Sequence, residues 1–270
     1  MAILQVNFNS KSLMKSVPIL VILPTDKEPS PGMPFVEDKP YKTLYLLHGI
    51  YGDYMNWLSH TRIQKWAEEK NLAVVMPSGD NSFYVDNPRP GNFYGEFIGK
   101  ELVEITRKMF NLSHKREDTF IAGLSMGGFG AIRNGLKYNE NFGCIAGLSS
   151  ALTLEQTLNM PYDERSLIGN RAYFENCFGD LNEAVKSDKN PTVLVELIKE
   201  KMQQDSSIHF PKIYMACGTE DSLVVANRNF RDFLISNGID VTYEEGPGEH
   251  NWEFWDTYIK RVLEWLPLED

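Results

Sequence analysis

The chain has few cysteines and no long apolar run, and each shortage excludes a class of protein. Its three cysteines, Cys144, Cys177 and Cys217, are odd in number and form no C-x-x-C pair, so neither a disulfide framework nor a zinc site is predicted. We expect all three to be reduced core residues. No stretch approaches the roughly 18 apolar residues of a membrane span, and the N-terminus carries no basic or cleavable segment. A cytoplasmic protein is predicted.

Basic residues are also in short supply. The 27 lysines and arginines are outnumbered by 37 aspartates and glutamates, which gives a net charge of −10. This balance argues against nucleic acid or an anionic membrane surface as the main partner, and a small neutral substrate fits better. The zinc-protease pattern H-E-x-x-H and the phosphate loop G-x-x-x-x-G-K-[ST] are both absent, which removes two other classes of hydrolase.

Strand-like and helix-like segments alternate over most of the chain. Predicted strands cover 3–8, 13–23, 43–47, 72–76, 119–122, 144–148, 213–217 and 241–245, and predicted helices cover 62–70, 95–110, 129–136, 224–237 and 252–266. This order predicts one α/β domain over 1–270, with a mostly parallel sheet covered by helices on both faces. The first two strands form an antiparallel lead-in, with a turn at 9–11. Proline cannot donate to a strand ladder, so Pro18 predicts an edge or a bulge.

Two segments break the alternation. Residues 80–92 are polar and aromatic, and we expect an irregular loop that lines a pocket at the carboxyl end of the sheet. Residues 149–210 form short polar helices and turns between two strands, and long segments of this kind are usually functional when ordered. We interpret 149–210 as a lid or cap insertion; the alternative is a helical crossover with no part in the site.

A glycine-flanked serine lies where a predicted strand passes into a predicted helix. Gly123, Ser125 and Gly127 match the G-x-S-x-G nucleophile elbow, in which a sharp turn projects the serine hydroxyl above the sheet. Glycine is needed at both flanks because a Cβ there would collide with the turn or a neighbouring strand. The pattern predicts a catalytic serine, the alternative being a glycine-rich turn without chemistry.

One of the five histidines follows directly after a predicted strand. His250 comes after the last strand and a Gly-Pro-Gly turn, at the edge of the sheet where sites collect in α/β folds. We therefore predict that His250 is the general base of the serine. His48 is expected to shape its own strand-end turn, and His60, His114 and His209 are expected at the surface.

The acid of the triad is predicted from chain order. Asp221 follows the penultimate strand, and the order Ser125, Asp221, His250 is that of α/β-hydrolases. Glu220 is the rival, because it is adjacent and only one of two consecutive side chains in a loop normally points into a site.

Four motifs together resemble a known family. They are Leu46-Leu-His-Gly-Ile-Tyr-Gly-Asp53 with Trp57, Gly123-Leu-Ser-Met-Gly-Gly128, Gly218-Thr-Glu-Asp221 and His250-Asn-Trp-Glu-Phe-Trp-Asp256. In this order they resemble the esterase D group of α/β-hydrolases, which includes tributyrin and cinnamoyl (feruloyl) esterases. S-formylglutathione hydrolases and mycolyltransferases are more distant kin. The resemblance covers nearly the whole chain.

The resemblance implies an α/β-hydrolase fold with a mostly parallel eight-stranded sheet. It favours Asp221 over Glu220 as the acid, and it implies an oxyanion hole made by the backbone N–H groups of Ile50 and Met126. No metal or organic cofactor is expected.

The function that follows is a serine carboxylesterase acting on small acyl or aryl esters. Short-chain esters such as tributyrin, or hydroxycinnamoyl and acetyl esters of carbohydrates, are the expected substrates. An acyltransferase or an S-formylglutathione hydrolase-like thioesterase on the same scaffold is the alternative, and a non-catalytic binding module is the third reading. The expected partner is a small ester, and neither nucleic acid nor a membrane is expected as a partner. Whether the chain forms a homo-oligomer is left open.

Overall fold

The computed structural model describes residues 1–25, 39–87, 92–163, 165 and 167–268. Positions 88–91 of the predicted loop, and positions 164 and 166 of the predicted insertion, lie outside these ranges.

Within these ranges a single sheet contains eight strands. They are β1 (Ala2–Ser10), β2 (Lys15–Leu23), β3 (Thr43–Leu47), β4 (Ala73–Pro77), β5 (Thr119–Leu124), β6 (Cys144–Leu148), β7 (Lys212–Gly218) and β8 (Val241–Gly246). Their order across the sheet is β1-β2-β4-β3-β5-β6-β7-β8. The first two pairings, β1 with β2 and β2 with β4, are antiparallel, and the other five are parallel. The predicted mostly parallel, eight-stranded α/β fold is confirmed.

Nine helices flank the sheet in the described residues. They are α1 (Asn56–His60), α2 (Ile63–Glu69), α3 (Tyr94–Glu96, Phe97–Glu101 and Leu102–Met109), α4 (Met126–Lys137), α5 (Arg171–Phe178), α6 (Leu181–Ala184), α7 (Pro191–Gln204), α8 (Val224–Ser236) and α9 (Trp252–Trp265). Short 3₁₀ segments occupy Arg116–Asp118 and Leu154–Asn159. The middle part of α3 is a π-helix, which the sequence pattern for one helix over 95–110 does not predict.

The core has two layers, one on each face of the sheet. Alternate residues of a strand point to opposite faces, and Ile121 accordingly packs in one apolar cluster while Phe120 and Ala122 pack in the other. Helices α3 to α8 contribute to the first cluster, and α1, α2 and α9 contribute to the second. The central strands β3 to β6 are buried along their whole length, which explains their nearly continuous apolar sequences.

The turn between β1 and β2 lies later in the chain than predicted. Strand β1 continues to Ser10, and the turn covers 11–14. A carboxylate from α3 determines this position: Glu101 accepts hydrogen bonds from Ser10 Oγ at 2.7 Å and from the backbone N–H groups of Lys11 and Ser12 at 2.6 and 3.0 Å. These contacts join residues about ninety positions apart, so the local sequence does not reveal them.

The predicted edge or bulge at Pro18 is wrong. Strand β2 is second in the sheet, and its register with β1 runs without interruption through the pair Asn7 and Pro18. The pairing of β2 with β4 begins only at Ile19. Pro18 therefore lies just outside the part of β2 that has a strand on both sides, and its missing N–H is tolerated there.

Candidate active site

Ser125 lies at the turn between β5 and α4, in a strained backbone conformation with φ 54° and ψ −118°. Such a conformation costs about 1–3 kcal/mol for a residue with a Cβ. Backbone contacts hold the turn: the N–H of Ser125 donates to Leu148 O at 2.9 Å, and its carbonyl accepts from Phe129 N and Ala151 N, each at 3.0 Å. A Cβ on Gly123 would lie 2.3 Å from Gly127 O, so the elbow requires glycine at this flank.

Ser125, His250 and Asp221 form a continuous chain of hydrogen bonds. Ser125 Oγ lies 3.0 Å from His250 Nε2, and His250 Nδ1 lies 2.8 Å from Asp221 Oδ2. An ionised carboxylate can only accept, so the ring hydrogen lies on Nδ1 and leaves the lone pair of Nε2 facing the serine hydroxyl. The structure thus brings together three side chains that the sequence separates by up to 125 positions.

Asp221 is held as a carboxylate by several donors. Burial alone would raise its pKa, but hydrogen bonds from His250 and the Leu223 N–H, with a contribution from the Ser149 hydroxyl, outweigh burial and keep the pKa below its ordinary value. The Leu223 N–H lies 2.8 Å from Asp221 Oδ1. The side chain of Asp221 is fully buried, whereas that of His250 is 34% exposed, so the carboxylate is shielded from water and the imidazole remains accessible.

No sequence pattern marks Ser149 as part of the site. It is fully buried directly after β6, at a positive φ of 46°. Its hydroxyl accepts from Trp255 Nε1 at 3.1 Å and helps to lower the pKa of Asp221. The Trp255 ring in turn packs edge-on against the His250 ring, with centroids 4.9 Å apart. Ser149 and Trp255 therefore support the acid and the imidazole from the protein interior.

Glu220 is exposed on the same loop, and no hydrogen bond joins it to His250. Its carboxylate accepts from Gly248 N at 2.7 Å, and its own N–H donates to Gly248 O at 3.1 Å. These bonds connect the loop that carries Asp221 to the loop that carries His250. Of the two adjacent acids, Asp221 is the one hydrogen-bonded to the imidazole.

The turn at 49–52 packs against the elbow. We call it the oxyanion turn, because the family resemblance implies that its Ile50 N–H contributes to an oxyanion hole. A Cβ on Gly49 would lie 3.4 Å from Ser125 Cβ, and a Cβ on Gly127 would lie 2.5 Å from His48 O. Neither Ile50 N–H nor Met126 N–H donates a hydrogen bond within the described part of the chain. Met126 is the first residue of α4, where the helix dipole favours negative charge. The two amides that the family resemblance indicates are thus left open beside Ser125.

His48 shapes the oxyanion turn, as the sequence indicated. Its Nε2 accepts from Gly79 N at 2.8 Å, so Nδ1 carries the hydrogen and donates to Gly49 O at 2.7 Å. Burial lowers the pKa of His48, in keeping with a neutral ring. The other three histidines, His60, His114 and His209, are exposed.

Two cavities are lined in part by the insertion. One, of about 270 Å³, is lined by residues from 80–82, Asn92 and Tyr94, together with Tyr173, Asn176 and Cys177 of the insertion. The other, of about 320 Å³, lies between the insertion and α8, and its lining includes Phe129, Leu152 and Phe230. Among the described residues, no group of histidines, cysteines and acids is arranged to hold a metal ion.

Comparison with known proteins assigns the family. The family model described as "Putative esterase" matches residues 10–266. The chain belongs to this esterase family. An acetyl esterase from Caldicellulosiruptor saccharolyticus is 49% identical over 266 residues, which is 98% of each chain. The resemblance to the esterase D group is confirmed, and the protein is a serine carboxylesterase.

Two solved structures from Staphylococcus aureus share the fold over nearly the whole chain. The fluorophosphonate-binding serine hydrolase F, solved with bound substrate, is 30% identical, with a TM-score of 0.82 and coverage of 100% of this chain and 99% of that one. The apoenzyme of an S-formylglutathione hydrolase is also 30% identical, with a TM-score of 0.81 and 99% coverage of both chains. These similarities place the chain among α/β-hydrolase-fold serine hydrolases. No helix in the described residues is both long and apolar enough to cross a membrane.

Proposed function

We propose that this esterase hydrolyses short acyl esters, acetyl esters above all, through an acyl-serine intermediate on Ser125. The observation that supports these roles is the chain of hydrogen bonds from Ser125 Oγ through the His250 ring to Asp221, at 3.0 and 2.8 Å. The acetyl preference is taken from the relative that is 49% identical over 98% of both chains.

In the first half-reaction, Ser125 Oγ attacks the ester carbonyl carbon while its proton passes to His250 Nε2. The N–H groups of Ile50 and Met126 stabilise the negative oxygen of the tetrahedral intermediate. Asp221 holds the Nδ1–H tautomer and stabilises the imidazolium. The intermediate collapses when the C–O bond to the alcohol breaks, and the alcohol leaves with the proton from Nε2.

In the second half-reaction, water attacks the acyl-serine carbonyl carbon and gives a proton to His250 Nε2. The second tetrahedral intermediate uses the same two amides. Its collapse breaks the bond to Ser125 Oγ, which recovers the proton from Nε2 as the carboxylic acid departs. His250 releases, within each half-reaction, the proton that it accepted, and the protein residues are unchanged after one turnover.

The direct test of the nucleophile is Ser125→Ala, with the exposed serine Ser207 changed to Ala as the control. Loss of a triad serine lowers turnover by about 10⁶ in a comparable serine hydrolase. A fluorophosphonate probe is expected to label the wild type and Ser207→Ala once each, at Ser125, and to leave Ser125→Ala unlabelled. More than about a hundredth of wild-type turnover in folded Ser125→Ala would overturn the assignment.

The substrate class is tested with a panel of esters. It comprises 4-nitrophenyl acetate, butyrate and octanoate, methyl ferulate and S-formylglutathione, assayed in water and with an added alcohol. We expect the highest kcat/KM for the acetyl ester. The second candidate is a thioesterase, because the S-formylglutathione hydrolase is 30% identical over 99% of both chains. A kcat/KM for S-formylglutathione far above that for acetyl esters would favour it, and preferential transfer to the alcohol would favour an acyltransferase.

A cytoplasmic location is part of the proposal. Cys144, Cys177 and Cys217 are free and buried, in keeping with a reducing compartment where disulfides are rare. Cell fractionation with an antibody against the protein tests the location.

A further inference from the structure

The oxyanion turn carries a large residue in an unusual backbone conformation. Tyr51 follows Ile50 directly and has φ 63°, although it is not a glycine. Its side chain is 79% exposed, so packing of the ring does not hold the conformation. A residue from the segment after β4 holds its backbone instead, because the Tyr51 N–H donates to Asn81 Oδ1 at 2.9 Å.

This contact fixes one of the two peptide planes that flank Ile50. The plane before Ile50 is held through Gly49 O, which accepts from His48 Nδ1 at 2.7 Å and from Gly52 N at 3.2 Å. The plane after Ile50 is held by the bond from Tyr51 N–H to Asn81. Because a peptide unit is planar and trans, the Ile50 N–H points opposite to Gly49 O in the first plane. The bond to Asn81 holds the second plane and so limits rotation about φ and ψ of Ile50, which keeps the first plane, and the Ile50 N–H with it, in one orientation.

Asn81 is in turn held by the insertion. Its backbone carbonyl accepts from Tyr173 Oη at 3.0 Å and from Cys177 Sγ at 3.2 Å, and both donors lie on α5. Two residues further on, the ring of Phe83 packs against the rings of Phe174 and Phe178, with centroids 5.5 and 5.2 Å apart. A continuous set of contacts thus runs from α5 through Asn81 to the oxyanion turn.

We propose that Asn81 is a positioning residue, which couples helix α5 of the insertion to the direction of the Ile50 N–H. The inference rests on the proposed function, because it takes the Ile50 amide as a donor to the oxyanion. The insertion then affects the rate of the chemical step for every ester, and its role is not confined to the choice of acyl group.

The chemistry of the contact provides a rescue experiment. Asn81 uses only its side-chain oxygen toward Tyr51, and the side-chain nitrogen donates no hydrogen bond within the described residues. Aspartate keeps an acceptor oxygen at the same distance from the backbone, whereas alanine removes it. Asn111→Ala is the control, because Asn111 is exposed in the loop after α3 and its side chain makes no hydrogen bond within the described residues.

The measurements are kcat and KM for acetyl and butyryl esters, the Kd of a trifluoromethyl ketone that forms a tetrahedral adduct with the serine, and Tm. Removal of a whole oxyanion donor lowers kcat by about 10²–10³. A donor that is present but misdirected still stabilises the oxyanion in part. Asn81→Ala is therefore expected to lower kcat about ten- to a hundredfold for both esters. KM is expected to stay within about twofold, and the ketone to bind more weakly by a similar factor to the fall in kcat/KM.

Two variants separate positioning from folding. Asn81→Asp is expected to have at least about threefold higher kcat than Asn81→Ala, because an acceptor is present. Tyr173→Phe leaves Asn81 in place but removes a donor from its carbonyl, and it is expected to lower kcat about two- to tenfold, the factor that one net hydrogen bond represents. Asn111→Ala is expected to keep kcat within about twofold.

Three results would overturn the inference: a kcat above half the wild-type value in Asn81→Ala, a purely KM effect, or an Asn81→Asp variant no faster than Asn81→Ala. Failure of the proposed function has a different signature. In that case Ser125→Ala would keep its activity, or fluorophosphonate would leave Ser125 unlabelled, whatever the behaviour of the Asn81 variants.

Discussion

Strained residues are concentrated at one edge of the sheet. Eight described residues other than glycine have positive φ, and six of them lie in the segments that directly follow β3, β4, β5 and β6. These six are Tyr51, Asp80, Phe83, Tyr84, Ser125 and Ser149. Conformations of this kind persist only where surrounding contacts determine them, and they cluster at functional sites. Here the contacts are the hydrogen bonds that hold the elbow, the acid and the oxyanion turn.

The two adjacent acids are predicted to differ in their effect on catalysis. Asp221→Asn is expected to lower kcat by about 10⁴, because the amide no longer enforces the Nδ1–H tautomer of the imidazole. Glu220→Gln retains an oxygen that accepts from Gly248 N–H, and we expect kcat to fall by less than about tenfold. Steady-state kinetics on one acetyl ester compares the two variants. A larger loss in Glu220→Gln would transfer the role of the acid to Glu220.

Ser149→Ala is predicted to shift the pH dependence of activity. The Ser149 hydroxyl helps to lower the pKa of Asp221, so it offsets part of the carboxylate charge. Without this hydroxyl the carboxylate attracts the protonated imidazole more strongly, and the acid limb of kcat/KM is expected to move to higher pH. The Trp255 N–H also loses its acceptor, which is expected to lower the free energy of unfolding by about 1–3 kcal/mol. A profile from pH 5 to 9 that is unchanged, or shifted to lower pH, would contradict the prediction.

At the scale of elements, the segment interpreted as a lid contributes to the core. Phe174 and Phe178 of α5 are buried, and together with Phe83 and Phe129 they form an aromatic cluster against the helix that begins at the elbow. Loss of a buried phenylalanine to alanine typically costs about 3–5 kcal/mol. Replacing the middle of the insertion by a flexible linker would therefore expose this cluster. The lid role of 149–210 stays a prediction, and single substitutions test it better than a deletion.

A second prediction for the elements concerns Glu101, which ends the π-helical part of α3 and whose carboxylate caps the β1–β2 turn. Burial would raise its pKa, but hydrogen bonds from Ser10, Lys11 and Ser12 lower it below the ordinary value. A carboxyl with a lowered folded-state pKa stabilises the protein above its unfolded value of about 4.3, and the stabilisation is lost as pH falls through the folded value. At pH 7 Glu101→Gln is expected to cost about 1 kcal/mol, after allowance for solvent screening, or about 2–4 °C in Tm.

The Tm difference between wild type and Glu101→Gln should shrink below about pH 4, because the wild-type carboxyl is then protonated and neutral, like the glutamine amide. Thermal melts at pH 7, 5 and 3.5 measure it. Glu104→Gln, on the same helix and with its carboxylate in solvent, is the control and should show no such trend. An equal Tm difference at all three pH values would mean that Glu101 acts through packing alone.

For the whole molecule, the prediction is that the native protein resists thiol reagents. Burial raises the pKa of Cys144 to about 11 and the pKa of both Cys177 and Cys217 to about 12, so little thiolate is present at neutral pH. We expect no rapid reaction with a chromogenic disulfide at pH 7.5, and three thiols per chain in guanidinium chloride. One fast thiol in the native state would show that a cysteine is accessible, and fewer than three after unfolding would show a disulfide.

The sequence by itself determined the fold class and the three residues of the hydrogen-bonded chain. Each of these residues follows a predicted strand, and the carboxyl ends of parallel strands meet at one edge of a sheet. The glycines around Ser125 and before His250 mark sharp turns through a local steric requirement. Local propensity and pattern are therefore enough to indicate Ser125, Asp221 and His250 together.

The tertiary structure alone decided what holds these residues in place. Ser149 and Trp255 are 106 positions apart, and Asn81 and Tyr173 are 92 apart. No local pattern distinguishes Ser149 from other serines or Asn81 from other loop asparagines, because each role depends on which distant group faces the side chain after folding. The same reason explains the position of the β1–β2 turn, which is determined by Glu101. Nearby residues specify turns and strand ends, whereas supporting hydrogen bonds exist only once the layers have packed.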